Sequence, residues 1–261
     1  MQTNTNINQI IQKAIDNKAT QLELFNMGLT HLPDDIEQLT HLKALYLENN
    51  QFTSIPKVIT RLPNLEVLSL EYNQVASLPE QIGHLKGLKK LNLADNNIES
   101  LSDTIGDFRQ LEMLDLRVNQ LSELPDRIGL LKHLEIFYLG RNSFKELPEI
   151  IKQLTQLVDL GCGGNQIKII PKWFFTLKNL KILSFARNFI RELPDDIILL
   201  EKLEHLILRE NQLNDFPVIL EKLSHLSLLD VRSNSFPDFD NVLKNVHSPD
   251  KMIQQYKQHN H

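Results

Sequence analysis

Hydrophobic and polar positions along this chain follow a unit of 23 residues that repeats without insertion or deletion. Around a recurring asparagine the pattern is L-x-x-L-x-L-x-x-N-x-L-x-x-L-P-x-x-I-x-x-L. The asparagines that mark the pattern are Asn50, Asn73, Asn96, Asn119, Asn142, Asn165, Asn188, Asn211 and Asn234. A degenerate copy from Leu22 to Pro33 precedes them and brings the number of repeats to ten.

Each unit combines two different hydrophobic periods. The L-x-L segment alternates, which predicts a short strand with one buried face. The P-x-x-I-x-x-L segment repeats every three residues and predicts a turn of 3₁₀ or short helix, opened by proline in most copies and by Ser102 in one. Because one unit cannot bury its leucines alone, stacking is required, and we predict a right-handed α/β solenoid of ten repeats with a parallel sheet along its concave side.

The two ends of the chain depart from the repeat. Apolar residues from Ile7 to Ile15 fall at helical spacing and predict an amphipathic helix over 6–17. After Asn234 the pattern decays into Phe236-Pro237-Asp238-Phe239, and Ser248-Pro249-Asp250 predicts the start of a second helix. We therefore expect an N-terminal capping helix at 1–19, a repeat array at 20–240 and a C-terminal cap or docking tail at 241–261.

The asparagine motif and the L-P-x-x-I-x-x-L motif resemble those of leucine-rich-repeat proteins of the 23-residue class, over residues 20–240. That class includes plant intracellular Ras-group-related repeat proteins, Ras-binding scaffolds and many bacterial repeat proteins. The resemblance implies a horseshoe-shaped solenoid that binds other proteins, with small GTPases or signalling complexes as one class of partner. It does not identify the partner, because the shared positions are the buried ones.

Composition narrows the function classes. The 261 residues include 28 Lys and Arg against 33 Asp and Glu, giving a net charge of −5, and 41% are hydrophobic. A mildly acidic chain argues against nucleic acid or an anionic membrane as the main partner. No apolar stretch approaches the roughly 20 residues that span a bilayer, and the start MQTNTNINQI does not resemble a signal peptide. We expect a monomer in the cytoplasm, with non-Sec secretion left open.

The candidate chemistry is sparse. The asparagines are expected to satisfy backbone groups inside the repeats rather than to form a site. Cys162, the one cysteine, occupies an inward strand position, so no disulfide framework or exposed nucleophile is expected. The histidines show no H-x-x-x-H spacing, and the run Gly161-Cys162-Gly163-Gly164 precedes no long helix, which weakens a phosphate-binding interpretation. We predict no enzyme activity, no cofactor and no metal.

Binding information in a repeat solenoid lies in strand residues that point away from the core. Counting back from each asparagine, these are positions −6, −4, −2 and −1. Charge at the last two positions is acidic in the early repeats and largely basic later, and apolar residues gather in repeats 5–9. The pattern predicts a protein-binding patch, although strand propensity alone also favours such residues. The candidate partner-binding residues are Tyr46, Glu48, Glu71, Tyr72, Met113, Arg117, Ile136, Tyr138, Arg141, Ile182, Arg187, Phe189, Ile207 and Arg209.

Two local features carry open alternatives. Asp159 and the glycines Gly161, Gly163 and Gly164 remove bulk from one strand, which produces either a slot for an inserted side chain or a local change of curvature. Phe189 stands where five of the ten repeats have glutamine, so it is expected to be exposed, or else to fold onto the core. The leading hypothesis is a non-catalytic interaction module or scaffold that binds protein on its concave face. The alternatives are a carbohydrate or peptide receptor that uses the glycine slot, and a targeting subunit of an enzyme complex.

Overall fold

The structure is a computed structural model that describes residues 2–235 and 246–259. It divides into two compact units, Met1–Leu134 and Glu135–His261, here called the first and second unit. Both are built from the same repeating element, a three-residue strand followed by a 3₁₀ segment. The predicted α/β solenoid of 23-residue repeats is therefore confirmed in each unit.

The first unit begins with a helix and contains five parallel strands in chain order. Its elements are α1 (Gln2–Asp16), β1 (Gln21–Glu23), β2 (Ala44–Tyr46), β3 (Val67–Ser69), β4 (Lys90–Asn92) and β5 (Met113–Asp115). Each residue of a strand pairs with the residue 23 positions later, as Leu45 does with Leu68. The predicted 3₁₀ segments lie between the strands, and Pro33 or its equivalent precedes them except at Ser102.

The second unit repeats this arrangement and ends with a helix. Its strands are β6 (Ile136–Tyr138), β7 (Asp159–Gly161), β8 (Ile182–Ser184), β9 (His205–Ile207) and β10 (Leu228–Asp230), followed by α2 (Pro249–His259). The central residue of every strand is buried, because it lies on the inner face with the apolar residues of the 3₁₀ segments. The flanking strand residues lie on the opposite face.

The recurring asparagine joins consecutive repeats. The Asn73 side-chain oxygen accepts a hydrogen bond from the Phe52 amide at 3.0 Å. Its Nδ2 donates to the carbonyls of Leu47 at 2.9 Å and Leu70 at 3.0 Å. The same geometry recurs at Asn96 and Asn188. The prediction that these amides satisfy backbone groups is confirmed.

The helices cover the ends of the two units. α1 buries Ile7 and Ile11, and it extends from Gln2 to Asp16 where the sequence predicted 6–17. α2 begins at Pro249 as predicted, buries Met252, and stacks Tyr256 on Phe216 with 4.7 Å between ring centroids. Within the described residues, neither helix has the length and apolar character needed to cross a membrane. The decayed segment 236–239 and the boundary predicted at 240/241 lie outside those residues.

Candidate functional site

The strand residues that point away from the core, with the residues at positions −2 and −1 that follow them, form a surface here called the open face. Its strands are shorter than the sequence predicted. Each strand covers positions −6 to −4 only, and the residue at position −1 adopts a left-handed backbone in all ten repeats. Nine of these residues have φ between 52° and 58°, and Gly164 has φ 71°. Positions −2 and −1 therefore lie in a turn after the strand, which corrects their assignment to the strand. Glycine adopts positive φ without a steric penalty, but the nine other residues show that the turn does not require glycine at Gly164.

Four predicted residues of the first unit lie on its open face, on the neighbouring strands β2 and β3 or in the turns that follow them. Tyr46, Glu48 and Glu71 are half-buried, whereas Tyr72 is 57% exposed. Phe25, which was not among the candidates, is 46% exposed at position −2 of the first repeat. Its signal in the sequence was an aromatic residue at a position that is charged or small in the other repeats.

The polar groups of this face differ in how well they are satisfied. Glu71 Oε2 accepts a hydrogen bond from Asn92 Nδ2 at 2.9 Å. Glu48 Oε2 and Ser69 Oγ are buried and have no hydrogen-bond partner among the described residues. Ser69 is only 5% exposed although its side chain belongs to the open face. Buried polar atoms are normally paired, so these two groups are exceptions within the described residues.

Arg117, at the other end of the first unit, is not an isolated surface cation. Its guanidinium bonds both carboxylate oxygens of Asp115, with the shortest contact 2.6 Å from Nη2 to Oδ2. Asp115 is buried to 2% exposure, so the arginine compensates a charge within the fold. Met113 on the same strand is half-buried. Arg117 is exposed as the sequence predicted, with 49% of its side chain accessible, whereas Met113 is less exposed than predicted.

Side chains of the preceding repeat lie against two of the three glycines that line the slot considered in the second unit. Tyr138 Oη donates to Asp159 Oδ2 at 2.6 Å, which draws the ring across β7. A Cβ atom added to Gly161 would lie 3.0 Å from Tyr138 Cδ1, and one added to Gly164 would lie 2.9 Å from Arg141 Cγ. Gly161 and Gly164 thus make room for side chains of the preceding repeat, whereas Gly163 lies against the backbone of Ala186 in the following repeat. Of the two interpretations that the sequence left open, an open slot is the less favoured, because Tyr138 and Arg141 take up part of the space.

The remaining candidates of the second unit form a mixed surface. Ile136, Ile182 and Ile207 are half-buried rather than fully exposed. Arg187 pairs with Glu210 at 2.9 Å, and Arg209 lies 3.9 Å from the same carboxylate. Glu210 therefore partly neutralises the positive charge of these two arginines.

Phe189 lies one residue past its asparagine and is 43% exposed. Its exposure is confirmed, and it does not fold into the core as the alternative required. Its amide donates to the Ile167 carbonyl at 2.8 Å, which fixes the backbone beside the preceding repeat. A role for Phe189 in binding stays a prediction.

Cys162 is buried, as its position in the repeat predicted. Cys162 is 2% exposed, and burial raises the pKa of its thiol to about 12, so the thiolate is not available at neutral pH. Among residues 2–235 and 246–259, no group of three His, Cys, Asp or Glu side chains is placed to hold a metal ion. The open face is thus a surface of aromatic, carboxylate and guanidinium groups, which suits binding.

Three family models match successive parts of the chain. The one described as a leucine-rich repeat region matches residues 104–188, the one described as leucine rich repeat matches 18–75 and 168–213, and the one described as leucine rich repeats in two copies matches 63–104. No match was found among curated proteins.

Solved structures share both the fold and part of the sequence. A leucine-rich-repeat protein of Leptospira interrogans is 32% identical with a TM-score of 0.73, covering 86% of this chain and 70% of that one. A TDR receptor is 29% identical with a TM-score of 0.74, covering 86% and 41%. The plant peptide hormone receptor RGFR1, in complex with RGF2, is 27% identical with a TM-score of 0.68, covering 86% and 38%. The chain spans less than half of either receptor.

Proposed function

Because the chain belongs to the leucine-rich-repeat family, we propose that it is a non-catalytic module or scaffold that binds a protein partner on the open face of its strands. The open face corresponds to the face that the sequence analysis expected to bind the partner. The observation that carries the proposal is the exposure of Tyr72 and Phe25, at 57% and 46%, on a face whose residues the core does not require. Exposed aromatic side chains beside charged groups are typical of binding hot spots.

The solved relatives support a protein or peptide partner. The RGFR1 structure holds RGF2, and the TDR protein is also a receptor. We extend only the general class of ligand to this chain, since it spans less than half of either receptor. Small GTPases, signalling complexes, a monomeric state and a cytoplasmic location stay predictions.

A protein partner is favoured over a ligand in the glycine slot. Tyr138 and Arg141 lie against Gly161 and Gly164 and so reduce the space that is open to such a ligand. No contact in the described residues specifically favours a targeting subunit of an enzyme complex.

The proposal is tested by quantitative affinity capture with the immobilised full chain in an extract of its native cell. One variant removes open-face aromatics of the first unit, Phe25→Ser with Tyr72→Ser. A second removes cations of the open face of the second unit, Arg187→Ser with Arg209→Ser. A matched control, Lys57→Ser with Lys172→Ser, changes exposed residues of the 3₁₀ segments.

We expect a partner that the wild type and the lysine control retain equally and that at least one open-face variant loses. Thermal unfolding of every variant checks that the fold is intact. If the lysine control loses the partner while both open-face variants keep it, binding uses the 3₁₀ side and the proposal is wrong.

A further inference from the structure

Most carboxylates on the open face of the first unit lack the cationic partners that some carboxylates elsewhere in that unit have. Glu66 pairs with Lys43 at 3.0 Å and Lys89 at 2.9 Å, and Glu37 pairs with Arg61 at 2.7 Å. By contrast, among the open-face carboxylates of the described part of this unit, Asp115 forms a salt bridge and the others form none. The residues without a salt bridge are Glu23, Glu48, Glu71 and Asp95, of which Glu23 and Glu71 accept hydrogen bonds from Gln21 and Asn92.

The cations of this open face do not balance these charges. Arg117 is committed to the buried carboxylate of Asp115, and Lys90 on β4 is the other basic residue at the open-face positions of the unit. The face therefore carries an excess of negative charge that the fold itself does not use. Such a field favours a cationic partner and slows the approach of an anionic one.

Two orphaned polar atoms locate a specific point within this field. Tyr46 and Ser69 are paired in register on β2 and β3, and Glu48 and Glu71 follow them on the same face. The two backbone segments remain side by side there, since the Asn49 amide donates to the Glu71 carbonyl at 2.9 Å. Ser69 and Glu48 are thus diagonal neighbours, at a backbone separation of roughly 8 Å that a glutamate side chain can span.

The unsatisfied atoms at this point are both able to accept hydrogen bonds. Glu48 Oε2 and Ser69 Oγ are each shielded from solvent and unpartnered within the described residues. An ammonium or guanidinium group offers several N–H donors and a positive charge, so it can satisfy these atoms once the side chains that shield them move aside. The exposed rings of Phe25 and Tyr72 on the same open face add surfaces that attract a cation.

We propose that this acidic face, defined by Phe25, Tyr46, Glu48, Ser69, Glu71 and Tyr72, binds a segment of a partner protein rich in lysine and arginine. One cationic side chain of the segment donates to Glu48 Oε2 and Ser69 Oγ, and further cations lie against Glu71 and the exposed rings. The inference rests on the proposed function and adds the chemistry of the partner.

The test measures fluorescence anisotropy of a labelled synthetic peptide with the full chain. The probe is a dodecapeptide with four lysines spaced by serine and glycine, and its matched control has glutamate in place of each lysine. We expect the lysine peptide to bind and the glutamate peptide not to bind. Because the attraction is between charges, raising the salt from about 50 mM to about 200 mM should weaken binding at least fivefold.

Matched variants separate a local site from the effect of net charge. Glu48→Gln with Glu71→Gln should weaken binding of the lysine peptide about tenfold, because it removes the charges that face the cation. Glu80→Gln with Glu99→Gln removes the same formal charge from exposed positions off the open face and should leave binding nearly unchanged. Equal weakening by both pairs, or equal binding of the lysine and glutamate peptides, would overturn the inference.

Ser69→Ala gives a readout that separates binding from stability. Removing a buried hydroxyl that has no partner should leave the melting temperature of the free protein unchanged or slightly raised. It should weaken binding of the lysine peptide about threefold, since one acceptor for the cation is lost. Unchanged affinity in Ser69→Ala would show that the orphaned hydroxyl does not contact the cation, and the assignment of this point would be wrong.

Failure of this inference is distinguishable from failure of the proposed function. The same Glu48→Gln, Glu71→Gln protein is used in the affinity capture described above. A native partner that this variant retains, but that Arg187→Ser with Arg209→Ser loses, would refute the acidic face while leaving the open face as the binding surface.

Discussion

At the scale of single residues, one side chain in each repeat has a structural task that no other residue type performs equally well. The amide of Asn96 accepts from the Val75 N–H at 2.8 Å and donates to the carbonyls of Leu70 and Leu93 at 2.9 and 3.1 Å. These backbone groups need both a donor and an acceptor on a short side chain. Asn96 supplies both while it is only 7% exposed. The recurrence of asparagine therefore follows from the backbone it serves.

Asn96→Ala is expected to lower the free energy of unfolding by about 3 kcal/mol, because buried backbone groups of two repeats lose their partners. Asn97→Ala, at the exposed neighbouring position, should change it by less than about 0.5 kcal/mol. Urea unfolding followed by circular dichroism measures both values. Equal losses in the two variants would contradict the role of the asparagine amide.

Asp230 shows how an open-face residue can also support the fold. It is 6% exposed and bonds Arg232 through contacts of 2.8 Å to Nε and 2.7 Å to Nη2. Burial alone would raise the pKa of its carboxyl, but the hydrogen bonds and charge of Arg232 outweigh that effect and hold the pKa below its ordinary value of 3.8. A depressed pKa means that the folded state favours the ionised form.

The stability that Asp230 contributes is therefore present above the ordinary pKa and is lost as the pH falls from 3.8 through the lower folded pKa. The wild type should exceed Asp230→Asn in stability at about pH 6, and the difference should shrink by about pH 2.5. Urea unfolding midpoints at the two pH values provide the measurement. A difference that stays constant with pH would show that ionisation of Asp230 is not the cause.

The sequence identified the asparagines and Cys162 correctly because their positions within the repeat dictate burial. It did not identify the internal partners of Arg117 and Tyr138. Asp115 and Asp159 stand at ordinary open-face positions, and whether such a carboxylate contacts solvent or a neighbour depends on rotamers that periodicity does not specify. The predicted patch therefore contains residues that are partly committed to the fold.

At the scale of elements, β6 and β7 are joined by a side chain that crosses from one strand to the other. Tyr138 covers Gly161 and donates to Asp159 at 2.6 Å. Tyr138→Phe should lower the free energy of unfolding by about 1 kcal/mol, since the ring remains but its hydrogen bond is lost. Tyr72→Phe is the matched control, because its exposed hydroxyl has no hydrogen-bond partner within the described part of the chain, and it should have no measurable effect.

Chemical denaturation of the two tyrosine variants makes the comparison. If Tyr138→Phe is as stable as Tyr72→Phe, the contact with Asp159 contributes nothing. In that case the ring would be free to leave Gly161, and the slot predicted from the sequence would again be open to a ligand.

The helix α2 stabilises the end of the second unit through a small apolar side. Met252 is completely buried and Ile253 is 2% exposed. Met252→Ala should lower the free energy of unfolding by about 2–3 kcal/mol, by loss of apolar burial and creation of a cavity. Gln254→Ala, on the exposed side of the same helix, should be nearly neutral. If calorimetry shows no destabilisation by Met252→Ala, α2 is not a cap.

The elements themselves were largely predictable, and their ends were not. Alternating leucines predicted every strand, and the proline-led segment predicted the 3₁₀ turns. The left-handed residue at position −1 was missed because its side chain varies from Tyr72 to Val118 and Arg141, none of which favours that conformation by itself. Its backbone angle is imposed by closure of the coil, a constraint that acts between repeats.

At the scale of the whole molecule, a net charge of −5 conceals an uneven distribution on the open faces of the two units. Unpaired carboxylates and exposed aromatic rings dominate in the first, whereas arginines and half-buried isoleucines dominate in the second. The repeat accounts for the fold, since it fixes the buried positions. The partner depends on the remaining positions, which the repeat leaves free to vary.

Binding through the open face is tested most directly by site-specific photo-crosslinking of the full chain in its native cell. A photoreactive phenylalanine analogue is placed at Tyr72 on the open face or at Lys57 on a 3₁₀ segment, both exposed positions of the first unit. We expect a discrete crosslinked protein from position 72 and none from position 57. A discrete product from position 57 alone would contradict binding through the open face.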